Sequence, residues 1–229
     1  DIAQDVTTRL LNDGHHVHCL IRNTEQQDAL TSRGITVTVG DATSEEDMKQ
    51  CITEAKEHGE INGLLHCVGS IVIRPPHALN KDAFEEVITT NLTSAFLALS
   101  IAGKAMLRQG SGRMVFSSSV AGSLGLVNHE AIAAAKGGIE AMVRASAATY
   151  ARRGLRINAV APGLTDTKMA SKILSSDAMR ETAAQKIPTQ RINKKEEAAT
   201  AMYWLLTDAP DNLTGQVLHL DGGMANVLA

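Results

Sequence analysis

The order of apolar and polar positions along the chain alternates between two periods. Ile2, Val6, Leu10 and Leu11 fall at helical spacing, and Gly14 ends that run. Residues 17–21 read as a buried strand. A helix over 25–32, stopped by Gly34, leads to the β-branched stretch 36–39 and Gly40-Asp41. Thr43 to Glu46 have the form of a capping box and open a helix that runs to Gly59. A strand over 64–68 follows. Beyond Pro75-Pro76 a long helical stretch covers residues 81–107, then come a strand over 113–117 and an alanine-rich helix over 129–152. The strand 155–160 breaks at Pro162-Gly163. Short helices in a mobile insertion are expected over 168–187, a helix over 196–207, and a last strand over 217–220 before Gly222-Gly223.

Helix and strand thus alternate along the whole chain. That pattern means an α/β protein, a doubly wound parallel sheet with helices on both faces, in one domain over 1–229. A seven-stranded sheet of order 3-2-1-4-5-6-7 needs its first strand in the middle. Neighbouring strands lie about 4.8 Å apart, so losing that strand leaves a gap of about 10 Å with unpaired backbone. The pattern opens in a helix at Asp1 and not in such a strand. The expectation is that about 10–15 residues precede Asp1 and carry the first strand and most of a glycine-rich turn.

Composition narrows the class. Apolar residues make up 44% and aromatics only 3%, so the core must rest on Ala, Val, Ile and Leu. The net charge of -3, with Lys and Arg scattered, gives no nucleic-acid footprint. No apolar run approaches the roughly 18 residues needed to span a bilayer, and no signal peptide shows. Cys19, Cys51 and Cys67 are sparse and odd in number, which reads as free thiols in a reducing cytoplasm.

Several segments carry candidate chemistry. Gly40-Asp41-Ala42 closes a strand, and Leu65-His66-Cys67-Val68-Gly69 runs from a strand into a turn. Thr90-Asn91-Leu92 lies within a helix, and Ser117-Ser118-Ser119-Val120-Ala121-Gly122 follows a strand. Asn158-Ala159-Val160-Ala161-Pro162-Gly163 leads to Thr165 and Thr167, while Thr214-Gly215-Gln216 and Asp221-Gly222-Gly223 stand near the end. In order and spacing these segments resemble the short-chain dehydrogenases/reductases (SDR), with bacterial 3-oxoacyl-[acyl-carrier-protein] reductases nearest in look. The resemblance covers essentially the whole chain and implies a Rossmann-type fold. It implies that Asp41 and Ala42 meet the adenine ring, that Gly69 borders the cofactor, and that Pro162, Gly163, Thr165 and Thr167 grip the nicotinamide amide. It implies that Asn91 kinks its helix and holds a relay water, and that Ser119 is the catalytic serine. Of the family's Asn-Asn-Ala-Gly turn, only the glycine stands here.

The family's catalytic pair is Tyr-x-x-x-Lys, 13 residues after the serine. Lys136 takes the lysine position, and Ile132 stands four residues earlier, 13 after Ser119. Serine and lysine fix the register from both sides, so the resemblance implies a substitution of the tyrosine. Ketone reduction needs a hydride and a proton, and isoleucine has no proton to give. General acid catalysis contributes on the order of 10² to 10⁴ in rate, or about 3–5 kcal/mol of barrier. His129, one helical turn earlier, is an alternative acid that needs a water relay. Lys136 also implies a contact to the nicotinamide ribose.

The cofactor implied is NADP(H). Leu20-Ile21-Arg22-Asn23 ends the strand where NAD users place an acid for the ribose 2′-hydroxyl; Ile21 takes that place, and Arg22 with Asn23 suits a 2′-phosphate. Asp1-Ile2-Ala3 aligns with the last Gly-x-Gly of the fingerprint. Asp1 is expected to cap the first helix, where it competes with a pyrophosphate. His15, His16, His18 and Cys19 cluster, but no further ligand completes a metal site. Tyr203-Trp204 is expected in the core. Helices 81–107 and 129–152 are rich in small residues (Ala95, Ala98, Ala102, Ala141, Ala145, Ala148), and the family pairs these helices into dimers and tetramers. The reading that follows is a catalytically impaired SDR, a structural or regulatory subunit in a homo- or hetero-oligomer with an active paralogue. The alternatives are an NADP(H)-dependent reductase of a 3-oxoacyl-type ketone and an NADP(H)-sensing binding protein.

Overall fold

The computed structural model describes residues 1–227. Helix α1 (Ile2–Asn12) leads to strand β1 (His18–Ile21). A short helix α2 (Gln27–Thr31) connects to β2 (Thr36–Val39), and α3 (Glu45–Lys56) to β3 (Gly63–His66). Then α4 (Lys81–Ile88), a single π-turn (Thr89–Thr93) and α5 (Ser94–Gln109) precede β4 (Gly112–Ser117). The long α6 (Glu130–Tyr150) leads to β5 (Leu155–Pro162). Two-residue strands β6 (Thr165–Asp166) and β7 (Asn193–Lys194) pair with each other around α7 (Asp177–Ala184). Helix α8 (Lys195–Leu206) and β8 (Val217–Leu220) close the chain.

All pairings are parallel. They form a β1-β2 block and a β3-β4-β5-β8 block. Among the described residues, no strand pairs with the free edges of β1 and β3. The two blocks nonetheless share packing, since Leu20 of β1 and Leu64 of β3 both rest on the cluster of Ala42, Met48 and Ala98.

The period-2 geometry of a strand sorts side chains onto two faces. Met114 and Phe116 of β4, with Ile157 and Ala159 of β5, point to α5 and α6, where Ala95, Leu99, Ile139 and Val143 complete one core. Val115 and Val160 point the other way, to Val6 of α1 and Ala199 and Met202 of α8. With so few aromatics, small residues let the helices close on the sheet: Ala95, Ala98 and Ala102 are buried here. By length and composition the stretch Lys81–Gln109 could cross a membrane, although no unbroken apolar run marked it; here its alanine face forms core.

Several local expectations change. Ser44, and not Thr43, caps α3, accepting a hydrogen bond from Asp47 N at 3.2 Å, while Thr43 donates to Asp41 Oδ1. The 81–107 helix is interrupted at Asn91 by the π-turn. Trp204 is not core: it is 38% exposed on α8. His16 and His18 are engaged with the Thr36 and Thr38 hydroxyls at the outer end of β1.

Candidate functional site

The carboxyl ends of β3, β4 and β5 open onto a cleft of about 570 Å³ beside the start of α1. Ligands of parallel α/β sheets bind at this edge, because the strand-to-helix turns converge there. Six of the candidate residues, Ile2, Gly69, Asn91, Ser119, Ile132 and Lys136, line the cleft. Pro162, Gly163, Thr165 and Thr167 border it from the turn after β5.

Asn91 sits in the π-turn and is fully buried. Its Nδ2 donates to Val87 O at 2.9 Å and to Ser70 Oγ at 3.2 Å, and its Oδ1 accepts from Ser70 N. The extra residue of a π-turn frees backbone groups and turns a side chain inward, which is how an asparagine reaches across to the β3 turn. Gly69 is needed in that turn, because a Cβ there would lie 2.8 Å from Asn91 Oδ1 and 3.5 Å from Lys136 Nζ.

Lys136 projects from α6 and donates from Nζ to Ser117 O at 2.8 Å. It is 7% exposed, and burial pulls its ammonium down to about 8, with the Cys67 thiol opposing that shift. Ser119 begins the turn after β4; its Oγ accepts from Ala121 N at 3.2 Å, which leaves the hydroxyl proton for another acceptor. The segment is pinned from behind by Glu140, one turn beyond Lys136. Its carboxylate accepts from Ser118 Oγ and Ser123 Oγ, both at 2.9 Å, and Gly122 packs against it.

Ile132 lies on the same face of α6 as Lys136 and is 3% exposed, packed with Val87, Ala121, Ala131 and Ala135. His129, at the start of α6, also borders the cleft. Its Nδ1 lies 2.7 Å from Val127 O, a contact that assigns the proton to Nδ1 and leaves Nε2 free.

The other four candidates lie outside the cleft, at the ends of β1 and β2. Asp41 accepts from Thr43 N and Oγ1, both at 2.8 Å; these bonds hold its carboxyl below the usual range, with a smaller contribution from Arg22. Arg22, whose charge acts on Asp41, is exposed. Asn23 caps the following turn through Glu25 N, and Ala42 is buried under the loop. Asp1 does not cap α1 as expected: its Oδ2 accepts from Lys168 N at 2.6 Å, across the cleft. The carboxylate is thereby drawn toward the loop after Thr167.

These features suit a pyridine dinucleotide. The glycine turn at Gly69, the Lys136 ammonium, and Arg22 and Asp41 stand at or near the carboxyl ends of the parallel strands. A family model described as Enoyl-(Acyl carrier protein) reductase matches residues 1–225. The chain belongs to the short-chain dehydrogenase/reductase family. It is 35% identical to 2-(S)-hydroxypropyl-CoM dehydrogenase 3 of Xanthobacter autotrophicus, over 89% of this chain and 83% of that protein. It is 31% identical to the 3-oxoacyl-[acyl-carrier-protein] reductase MabA of Mycobacterium tuberculosis, over 97% of this chain and 88% of that one. Among solved structures, a putative gluconate dehydrogenase of Agrobacterium tumefaciens superposes with a TM-score of 0.93 at 26% identity, covering 99% of this chain and 92% of its own.

Sequence reasoning missed two parts of this SDR cleft. One is the Glu140 anchor, for which the i, i+4 spacing from Lys136 was the available signal. The other is the apolar lining by Ile71, Ile73, Leu126, Met169 and Ile173, contributed by loops that show no periodicity.

Proposed function

We propose that this SDR protein binds NADP(H) but is a poor ketone reductase, and that it acts as a structural or regulatory subunit beside an active relative. The observation that carries this reading is Ile132, packed into apolar surroundings at the place where the family resemblance sets the proton-donating tyrosine.

The residues divide as follows. Arg22 takes the 2′-phosphate, Asp41 and Ala42 border the adenine, Lys136 holds the ribose, and Gly163, Thr165 and Thr167 orient the nicotinamide. The bound nucleotide supplies the hydride. Ser119 directs its hydroxyl proton at a carbonyl oxygen, which stabilises developing charge but does not replace a general acid. Ile132 gives neither a proton nor a dipole, and desolvates an oxygen placed against it. Oligomer formation through α4, α5 and α6 is part of the same proposal. Phe96 of α5 is 55% exposed, and Ala141, Ala145 and Ala148 form an exposed face of α6.

A second reading, slow NADPH-dependent reduction of a 3-oxoacyl-type ketone, is favoured by His129. Its Nε2 borders the same cleft and, when the ring carries a second proton there, would pass it to a substrate oxygen through a water.

Calorimetric titration with NADPH and NADH tests the nucleotide half. Micromolar NADPH binding, weaker for NADH and weakened by Arg22→Ala, is the expected result. NADPH oxidation with a 3-oxoacyl thioester tests the rest. Turnover well above the enzyme-free background, lost in His129→Ala, would replace the first reading by the second. No binding at millimolar NADPH would remove both.

A further inference from the structure

The cleft holds a buried cation. Lys136 Nζ has three protons to donate and one protein acceptor, Ser117 O. Among the described residues it belongs to no ion pair. Glu140, the nearest acid along α6, gives its two carboxylate oxygens to Ser118 and Ser123. A buried ammonium with most of its hydration removed favours any ligand that brings a counter-charge. Ser119 sits on the same wall with a hydroxyl proton to spare.

Polar groups such as Asp1, His129 and Lys186 also line the cleft, but one stretch of its wall is aliphatic. Ile132 comes from α6, Leu126 from the loop before it, and Met169 and Ile173 from the segment after β6. Ile71 and Ile73 are 38% and 40% exposed at the rim, and Met169 is 55% exposed. These side chains face solvent at the mouth of a cleft whose volume lies within the roughly 300–1,000 Å³ of small-molecule sites. An ammonium and a hydroxyl donor beside an aliphatic wall fit a ligand with one anionic end and a hydrocarbon body.

We propose that, when no nucleotide is bound, this cleft takes an aliphatic monocarboxylate, its carboxylate on Lys136 Nζ and the Ser119 hydroxyl and its chain along Ile132, Leu126, Ile71 and Met169. Ile132 has a direct part in this site. It replaces a polar contact on α6 with hydrocarbon and leaves the ammonium to the ligand. The same ammonium is assigned above to the nucleotide ribose, so carboxylate and NADPH exclude each other.

The test is calorimetric titration of the full chain at pH 7 with octanoate, octan-1-ol and octylamine, without and then with saturating NADPH. The expected order is octanoate first, with octan-1-ol and octylamine at least ten-fold weaker, and NADPH weakening octanoate. Lys136→Met is expected to remove the preference for octanoate over octan-1-ol. Ser119→Ala, which leaves the ammonium in place, is expected to reduce that preference without affecting octan-1-ol. Equal binding of octanoate and octan-1-ol, or an unchanged preference in both variants, would overturn the proposal. NADPH binding without octanoate binding overturns this site alone. Octanoate binding without NADPH binding overturns the nucleotide reading alone, because the two ligands are titrated separately.

Discussion

At the residue scale, the chemistry turns on two side chains one helical turn apart. Ile132 is fixed by its packing, so a larger side chain must push toward the cleft, where the space is. Ile132→Tyr therefore places a phenol on the cleft side of α6, next to Lys136. If nucleotide binds, that variant is expected to raise the rate of NADPH oxidation with a 3-oxoacyl thioester by about 10² to 10⁴-fold. A variant that binds NADPH yet gains nothing would show that the defect lies elsewhere in the site. Lys136 makes a separate prediction about stability. Burial holds its ammonium at about 8, against an ordinary value of 10.5, while the Cys67 thiol just after β3 is itself pushed up to about 12. Below pH 8 both folded and unfolded chains carry the charge, and the folded one bears the desolvation. Stability from this group therefore rises between about pH 8 and 10.5. Lys136→Met should raise the melting temperature at pH 7, by up to about 3 kcal/mol in stability, with the advantage shrinking toward pH 10. An equal effect at both pH values would argue against a buried charge. Both residues were legible through the family resemblance, in which Ser119 and Lys136 fix the register around Ile132. The burial that gives them their consequences was not, since it depends on loops from three other elements.

At the element scale, strand β3 carries an unusual residue at its carboxyl end. His66 is 3% exposed, with Nε2 at 3.0 Å from Ser94 Oγ and no partner for Nδ1. Burial, reinforced by the Lys136 charge, holds it down to about 3. An unfolded chain takes up that proton near pH 6.5, so between about pH 6.5 and 3 the unfolded state binds more protons than the folded one. The residue's contribution is present above 6.5 and lost as pH falls, at about 1.4 kcal/mol per pH unit. His66→Asn should flatten this acid limb in denaturant titrations at pH 4 to 7, and an unchanged slope would assign the limb to other groups. Gly122 makes a packing prediction. A Cβ there would lie 2.7 Å from Glu140 Oε1 and 3.0 Å from the Lys136 carbonyl carbon, so Gly122→Ala should destabilise by about 1–3 kcal/mol. Elements themselves were well marked in the sequence. The strands at 36–39 and 217–220 coincide with their expected bounds because β-branched or leucine-rich runs end at glycine or aspartate. The β6-β7 bridge was not foreseen, since two residues carry no period. The break of the 81–107 helix at Asn91 came from family resemblance, because Thr-Thr-Asn-Leu-Thr reads as ordinary helix by pattern.

At the scale of the whole molecule, the alanines that suggested helix pairing separate into two groups. Ala95, Ala98 and Ala102 are spent inside, letting α5 approach the sheet, whereas Ala141, Ala145 and Ala148 are exposed along one face of α6. The surface of α5 carries Phe96, 55% exposed, and α4 carries Phe84, 39% exposed, in a chain with only three phenylalanines. Exposing two of three such residues on consecutive helices leaves apolar area that a partner copy or a related chain would cover. A glutamate at position 96 puts a charge into the middle of that area, where desolvation opposes association while the isolated fold is untouched. Sedimentation velocity of the wild-type chain is therefore expected to show a dimer or tetramer, and Phe96→Glu to shift it at least ten-fold toward the smaller species with its melting transition retained. The substitution lies on a solvent-facing position of α5, so a loss of fold is not an alternative route to the same result. A monomeric wild-type chain would leave the hetero-oligomer as the remaining form of the proposal, and co-expression with an active relative would then have to restore a mixed species that Phe96→Glu abolishes.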